Sequence, residues 1–378
     1  MFELYRQYGE KRKITGIYRQ LPESGRSTAV TTLDFSSNDY LGLGQRKELL
    51  DAAIEVGLRE GVGATGSRLL SGNKPIFEKL ESRIALDKHT ETALLFNSGF
   101  QANLTVLSSL LDSRVLNSKP IVFFDRLNHA SLYQAMFLSG AELVRYRHLD
   151  LDHLSECLRH YQQDKRPKFI VTETLFGMDG DILPLDNVLE LAREHDALLY
   201  LDEAHAVGIL GKQGYGLSTT IEHDVPTIVI GTLSKAIGCA GAYVACDNIM
   251  KEYLINKAEG FIYSTAASPM VMGAALAAWE MIPLFNTARK TLFTLADGLR
   301  TRLQTLGFDT GPSLSHIIPL IVGQSALTEL NTKLRAAGVV ASFIRKPTVP
   351  SGRERVRLAL TVNHTQQDID YLLDVLAS

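Results

Sequence analysis

Between residues 93 and 245, short apolar runs alternate with longer amphipathic stretches, and no other feature of this chain limits its fold so sharply. The apolar runs at 93–97, 121–125, 142–146, 168–173, 198–202, 227–232 and 242–246 have the length and composition of strands. Several are apolar almost throughout, as expected when both faces of a sheet are covered. The intervening segments, such as 131–139 and 185–194, carry helical periodicity. This alternation predicts an α/β fold built on a large, mostly parallel sheet. The pattern changes after residue 285. An amphipathic stretch at 286–306 stops at Gly307, a residue suited to a helix C-terminus. Strand-like 316–322, helix-like 327–337, strand-like 339–344 and 355–360 and a closing helix from Gln366 follow, which suits a smaller α+β lobe. The predicted organisation is an N-terminal arm with a short strand at 33–36 (residues 1–40), a large domain (41–285) and a small C-terminal domain (286–378).

A chain of 378 residues exceeds the roughly 100–200 residues of a single core, so more than one lobe is expected. The net charge of −3 gives no electrostatic reason to bind nucleic acid or an acidic membrane. No apolar run approaches the roughly 18–20 residues that span a bilayer. The three cysteines, Cys157, Cys239 and Cys246, fit neither a disulfide framework nor a zinc pattern. Residues 1–13 are mixed polar and charged, unlike a secretory leader, and the expectation is a cytoplasmic enzyme.

In an open α/β sheet, ligands bind beyond the carboxyl ends of the strands. Polar residues of catalytic type collect at those ends here: Ser98-Gly99-Phe100, Asp125 with His129, Asp202-Glu-Ala-His205, and Gly231-Thr-Leu-Ser-Lys235. Lys235 lies among small and hydroxyl residues that let a ligand approach the backbone and that bind phosphate. A lysine in such a pocket acquires a lowered pKa and forms an imine with an aldehyde. Asp202 ends an apolar run and would place an anion in a cleft, as a pyridoxal ring nitrogen requires. His205 could reach the ring's phenolic oxygen, Ala204 is small enough to lie beneath the ring, and His129 could stack on its other face. The glycine-rich stretch Gly61–Asn73 lacks both the dinucleotide and the Walker registers and reads as a flexible loop on the substrate side.

These residues together resemble a known family. Ser36-Ser-Asn-Asp-Tyr-Leu-Gly42, the loop at 61–73, Asp125-Arg-Leu-Asn-His-Ala-Ser131, Asp202-Glu-Ala-His-Ala-Val-Gly208 and Thr232-Leu-Ser-Lys235 are similar, in order, to the motifs of the α-oxoamine synthases. These are fold-type I enzymes that use pyridoxal 5'-phosphate (PLP) to condense an amino acid with an acyl thioester and release CO2. Ser67–Gly72, Ile344–Pro350, Arg355-Val-Arg357 and Leu360–His364 resemble the branch that joins L-alanine to a pimeloyl thioester in biotin synthesis, the alternative being another α-oxoamine synthase reaction, with glycine or a longer acyl chain. The resemblance implies that Lys235 holds the cofactor and moves the Cα proton, with His129 and Asp202 as its catalytic partners. It implies cofactor contacts from Gly99, Phe100, His129, Asp202, His205 and Thr232, and from Thr265 across a homodimer interface. Asn38 and Arg357 would hold the amino-acid carboxylate, with His129 near the substrate and Arg19 and Thr348 along the acyl path. The implied partners are small molecules, an amino acid and an acyl-CoA or acyl carrier protein. Two positions depart from the family: Lys346 replaces a usual proline, and Gly177 stands where a serine usually contacts the cofactor.

Overall fold

The computed structural model of the chain describes residues 1–15, 17–19, 21, 32–221, 224–346 and 348–378. After the short β1 (Leu33–Asp34), the alternating region forms β2 (Thr92–Phe96), β3 (Ile121–Asp125), β4 (Glu142–Tyr146), β5 (Lys168–Glu173), β6 (Ala197–Asp202), β7 (Thr227–Thr232) and β8 (Ala242–Cys246). These seven make one sheet in the order β2-β8-β7-β6-β5-β3-β4. Only β8 runs against the others, pairing antiparallel with both β2 and β7. The connection from β7 to β8 is too short for the crossover that a parallel pair needs, so the reversal follows from the loop. The fold is therefore α/β with a mostly parallel sheet, as the sequence pattern predicts.

Both sheet faces are apolar. Phe123, Ile170 and Leu199 pack on one side with Leu154, Leu158 and Val188. Val122, Phe124, Val171 and Tyr200 pack on the other with Leu107 and Leu132. β3 and β8 are buried along their whole length, whereas the edge strand β4 alternates and exposes Leu143 and Arg145. Predicted and observed bounds coincide for five strands and differ by a residue for β2 and β6.

The C-terminal lobe is built from β9 (Ile317–Ile321), β10 (Val339–Val340), β11 (Ser342–Ile344) and β12 (Arg355–Ala359). The helices Asn286–Thr305, Gly323–Ala336 and Gln366–Ala377 accompany them. Gly307 adopts φ +86 just past the first of these, in its expected role at a helix end. The strand expected over 339–344 is in fact two. β10 pairs in parallel with β1, while β11 joins β12 and β9 in an antiparallel sheet. The chain changes partner at Ala341, which periodicity cannot reveal. The N-terminal arm also differs from expectation, since Phe2–Ile14 is a helix, with none of its residues buried. One continuous apolar cluster runs from Val229 and Tyr243 through Trp279 to Ile318, Leu358 and Leu372, so the two lobes share a core.

The loop after β5 contributes polar contacts between the lobes. Arg355 on β12 donates to Asp179 at 2.5 Å, and Leu314 N donates to the Gly180 carbonyl at 3.0 Å. Gly180 has φ +73, and a Cβ there would stand 1.9 Å from the Ile317 carbonyl oxygen. Asp181 accepts from His148 Nε2 at 2.6 Å, while His148 Nδ1 donates to Asp125 at 2.9 Å. Burial opposes a charge on His148, but the hydrogen bonds to Asp125 and Asp181 override it and raise its pKa to about 10.

Two outcomes are expected. Gly180→Ala combines a left-handed backbone with a backbone collision and should lower unfolding free energy by about 1–3 kcal/mol in urea titrations. Because the native state binds the His148 proton more tightly than the unfolded chain, its contribution is complete below about pH 6.5. That contribution should fade as pH rises towards 10, and His148→Gln should remove this part of the pH dependence of the urea midpoint.

Candidate active site

The ends of β2, β3, β5, β6 and β7 surround a cavity of about 230 Å³, and Lys235, Asp202, His129 and His205 all line it. Asp202 closes β6 and is 3% exposed. Its Oδ2 accepts from Asn103 Nδ2 at 2.6 Å and its Oδ1 from the Ala204 backbone at 2.9 Å. Asn103 is in turn fixed by Tyr200, whose hydroxyl donates to Asn103 Oδ1 at 2.9 Å. Directly behind, Glu203 forms a fully buried ion pair with Lys88. Lys88 Nζ also donates to the Tyr215 carbonyl at 2.8 Å, and Ser218 N donates to Glu203 at 2.7 Å. The turn that carries Asp202, Ala204 and His205 is thereby anchored on both sides.

Lys235 follows β7 and has its pKa lowered to about 8. Burial is the main cause; the negative charges of Asp202 and Glu173 oppose it, and Arg357 adds to it. His129 caps the helix Ala130–Ser139, and its Nδ1 accepts from the Ser131 backbone at 3.3 Å. Burial lowers its pKa, against the pull of Asp202. His205 is pushed well below the usual imidazole value, chiefly by burial, with Lys235 and Arg357 adding to it. Its Nδ1 lies 2.7 Å from the Tyr40 hydroxyl.

The opposite wall is the start of the helix Gly99–Leu110, capped by Ser98, whose hydroxyl accepts from Gln101 N at 3.2 Å. Gly99 faces Thr232, since a Cβ at 99 would lie 3.7 Å from that side chain. Gly99, Phe100 and Thr232 all border the cavity. A helix N-terminus with hydroxyls beside it is a ready seat for a phosphate.

The predicted carboxylate pair is assembled across the lobes. Arg357 on β12 donates from Nη2 to Asn38 Oδ1 at 3.0 Å and from Nε to the Gly177 carbonyl at 2.5 Å. The remaining predicted residues lie elsewhere. Thr265 lines a smaller depression with Asn97 and Gln101 rather than the cavity itself. Arg19 and Thr348 are exposed, but their segments meet, because Arg345 donates to the Tyr18 carbonyl at 3.0 Å. The loop at 61–73 is pinned, with Arg68 held by Glu81 at 2.7 Å and by Asn73 at 2.5 Å.

Three residues close to Asp202 and His205 are not anticipated by the sequence pattern. Asn103 is a polar residue on an otherwise apolar helix face, which was a usable signal. Tyr40 sits inside the motif of residues 36–42, two residues from Asn38. Glu173 closes β5 and lies opposite Asp202 in the ladder, a pairing that the sequence pattern does not show. Burial and the adjacent Asp202 charge hold the Glu173 carboxyl well above the usual range.

The model of the family described as aminotransferase class I and II matches residues 30–376. The 8-amino-7-oxononanoate synthase of Gluconacetobacter diazotrophicus is 43% identical over 370 residues, 97% of this chain and 92% of that protein. A solved SPT structure with PLP as an internal aldimine is 25% identical and superposes with a TM-score of 0.88, over 100% of this chain and 96% of that one. The 8-amino-7-oxononanoate synthase of Francisella tularensis is 29% identical with a TM-score of 0.79, over 92% of this chain and 97% of that one.

The anchoring of the Asp202 turn predicts that Lys88→Met, which strands the Glu203 charge, costs about 3–5 kcal/mol in denaturant unfolding. The double variant Lys88→Met with Glu203→Leu should recover much of that loss.

Proposed function

Because the chain belongs to the class I and II aminotransferase family and, within it, to the α-oxoamine synthases, we propose that it condenses L-alanine with a pimeloyl thioester. The products are CO2 and 8-amino-7-oxononanoate, a step of biotin synthesis. The observation that carries this reading is the 43% identity to an 8-amino-7-oxononanoate synthase over 97% of the chain. The cavity adds the chemistry: a lysine with a lowered pKa, an anion, a helix N-terminus and a flanking imidazole share one wall-to-wall space.

Those groups fit PLP, which when bound supplies an aldehyde for amines and a ring that takes up the electron pair left at the substrate Cα. Ser98, Gly99 and Thr232 offer donors to its phosphate, and Asp202 offers an anion to its ring nitrogen. His129 provides a flat surface for the ring. Lys235, with a pKa of about 8, has free amine available near neutral pH, both as a nucleophile and as the group that moves the Cα proton. Arg357 and Asn38 orient the amino-acid carboxylate. A guanidinium binds it in two directions and so fixes which bond at Cα faces Lys235.

The same reading assigns the acyl path to the joined segments of Arg19 and Thr348, with pimeloyl-CoA or a pimeloyl carrier protein as donor. It also assigns a homodimer in the cytoplasm. The position of Thr265 outside this chain's cavity supports a shared site, as do Phe2, Leu4, Tyr5 and Tyr8, exposed on a helix without a buried residue. Among the described residues, no helix is long and apolar enough to cross a membrane.

The test is turnover of pimeloyl-CoA with alanine, glycine or serine, together with growth of a strain that lacks the synthase on medium without biotin. Alanine should be preferred and growth restored, whereas strict preference for glycine or serine would overturn the substrate assignment. Lys235→Ala should lose the visible absorption of the bound cofactor and about 10²–10⁴-fold of the rate, the range of a positioned acid–base group.

A further inference from the structure

Four side chains link the carboxylate seat to the cofactor site, and their hydrogens can be assigned by elimination. Arg357 Nη2 donates to Asn38 Oδ1 at 3.0 Å and to the Tyr40 hydroxyl at 3.2 Å. A guanidinium only donates, so the Asn38 atom it meets is the carbonyl oxygen and not the amide nitrogen. The Tyr40 hydroxyl lies 2.9 Å from that same oxygen and 2.7 Å from His205 Nδ1. Tyr40 is fully buried, and burial raises its pKa, so it keeps its one proton. Two acceptors at 2.9 Å need a proton between them, and the only one available is the phenol's. Tyr40 therefore donates to Asn38, and its oxygen accepts from Arg357 and from His205.

His205 is neutral and has one N–H to give. If that proton sits on Nδ1, Nε2 carries a bare lone pair. Nε2 is also the atom that Gly177 accommodates, since a Cβ at 177 would stand 2.2 Å from it. A serine, the residue usual at this place in the family, cannot coexist with the ring in this position.

We infer that Tyr40 is a positioning residue that fixes the tautomer of His205, so that the histidine presents a proton acceptor, not a donor, at the Nε2 that glycine at 177 makes room for. The consequence for the cofactor rests on the function proposed above. A bare Nε2 accepts a proton from the ring's phenolic oxygen and favours the neutral phenol, whereas an Nε2–H would favour the phenolate. Because Tyr40 shares Asn38 and Arg357 with the carboxylate seat, the tautomer is tied to the group that binds the amino acid.

The decisive measurement is the ¹⁵N spectrum of the full chain labelled at its ten histidines, taken without cofactor, with His205 identified from its loss in His205→Gln. Wild type should show a protonated Nδ1 and a bare Nε2. In Tyr40→Phe the Nδ1 acceptor is gone, and the two resonances should interchange. Asn38→Leu leaves Tyr40 in place but frees its proton for Nδ1, and should give the same interchange. A wild-type spectrum with the proton on Nε2 overturns the inference, as does an unchanged tautomer in either variant that stays folded by circular dichroism. In the PLP-loaded chain, the same two variants should move visible absorption from the neutral-phenol band towards the phenolate band. A chain that fails to bind PLP sinks the cofactor reading while leaving the tautomer result standing.

Discussion

Asp202 is held at the base of the cleft by both of its oxygens, which accept hydrogen bonds from Asn103 and from the Ala204 backbone. Everything else in the cavity is arranged relative to its charge. It opposes the desolvation that lowers Lys235, it adds to the burial that raises the Glu173 pKa, and it limits the fall in the His129 pKa. Two carboxyl groups side by side at adjacent strand ends cannot both ionise cheaply in a buried site. The hydrogen bonds from Asn103 and Ala204 fix how the Asp202 carboxyl is oriented beside Glu173. A site built this way depends on the helix Gly99–Leu110, which brings Asn103 to Asp202 and its own N-terminus to the opposite wall.

Much of this was legible in the sequence because α/β sheets put their chemistry at strand ends. The runs ending at Asp125, Glu173, Asp202 and Thr232 were identified by apolar content alone, and Lys235, His129 and His205 followed from what came next in the chain. The residues that sequence reading missed act across space. Tyr40 matters through His205, which lies 165 residues away, and Lys88 through Glu203, 115 residues away. No local pattern encodes such pairings. The reversed β8 and the strand that divides at Ala341 were hidden for a related reason, since periodicity reports which faces are apolar but not which neighbour covers them. The helix Phe2–Ile14 went unread because its apolar residues are not gathered against this chain's own core.

Gly177 also illustrates what a comparison of residues can and cannot convey. Set beside its family, this position looks like the loss of a hydroxyl from the cofactor site. In three dimensions it is a gain of room, filled by the His205 ring, while the Gly177 carbonyl serves as an anchor for Arg357. The loop from 177 to 181 thus touches His205, Arg357 and the second lobe within five residues.

The pairing of β1 with β10 has a bearing on biosynthesis. Leu33 waits for Val339, Phe35 N for the Val340 carbonyl, and Val362 N closes onto the Tyr40 carbonyl. The segment carrying Asn38 and Tyr40 leaves the ribosome near the start, yet the strand that seats it arrives about 300 residues later, on the order of 15–60 s at ordinary elongation rates. The large sheet, complete by Cys246, has time to form first. The order of synthesis thus gives Lys235 and Asp202 their strand ends before Asn38 and Tyr40 gain the strand that seats them. A product truncated after the sheet would carry Lys235 and Asp202 but neither Arg357 nor the strand that pairs with the Asn38 segment.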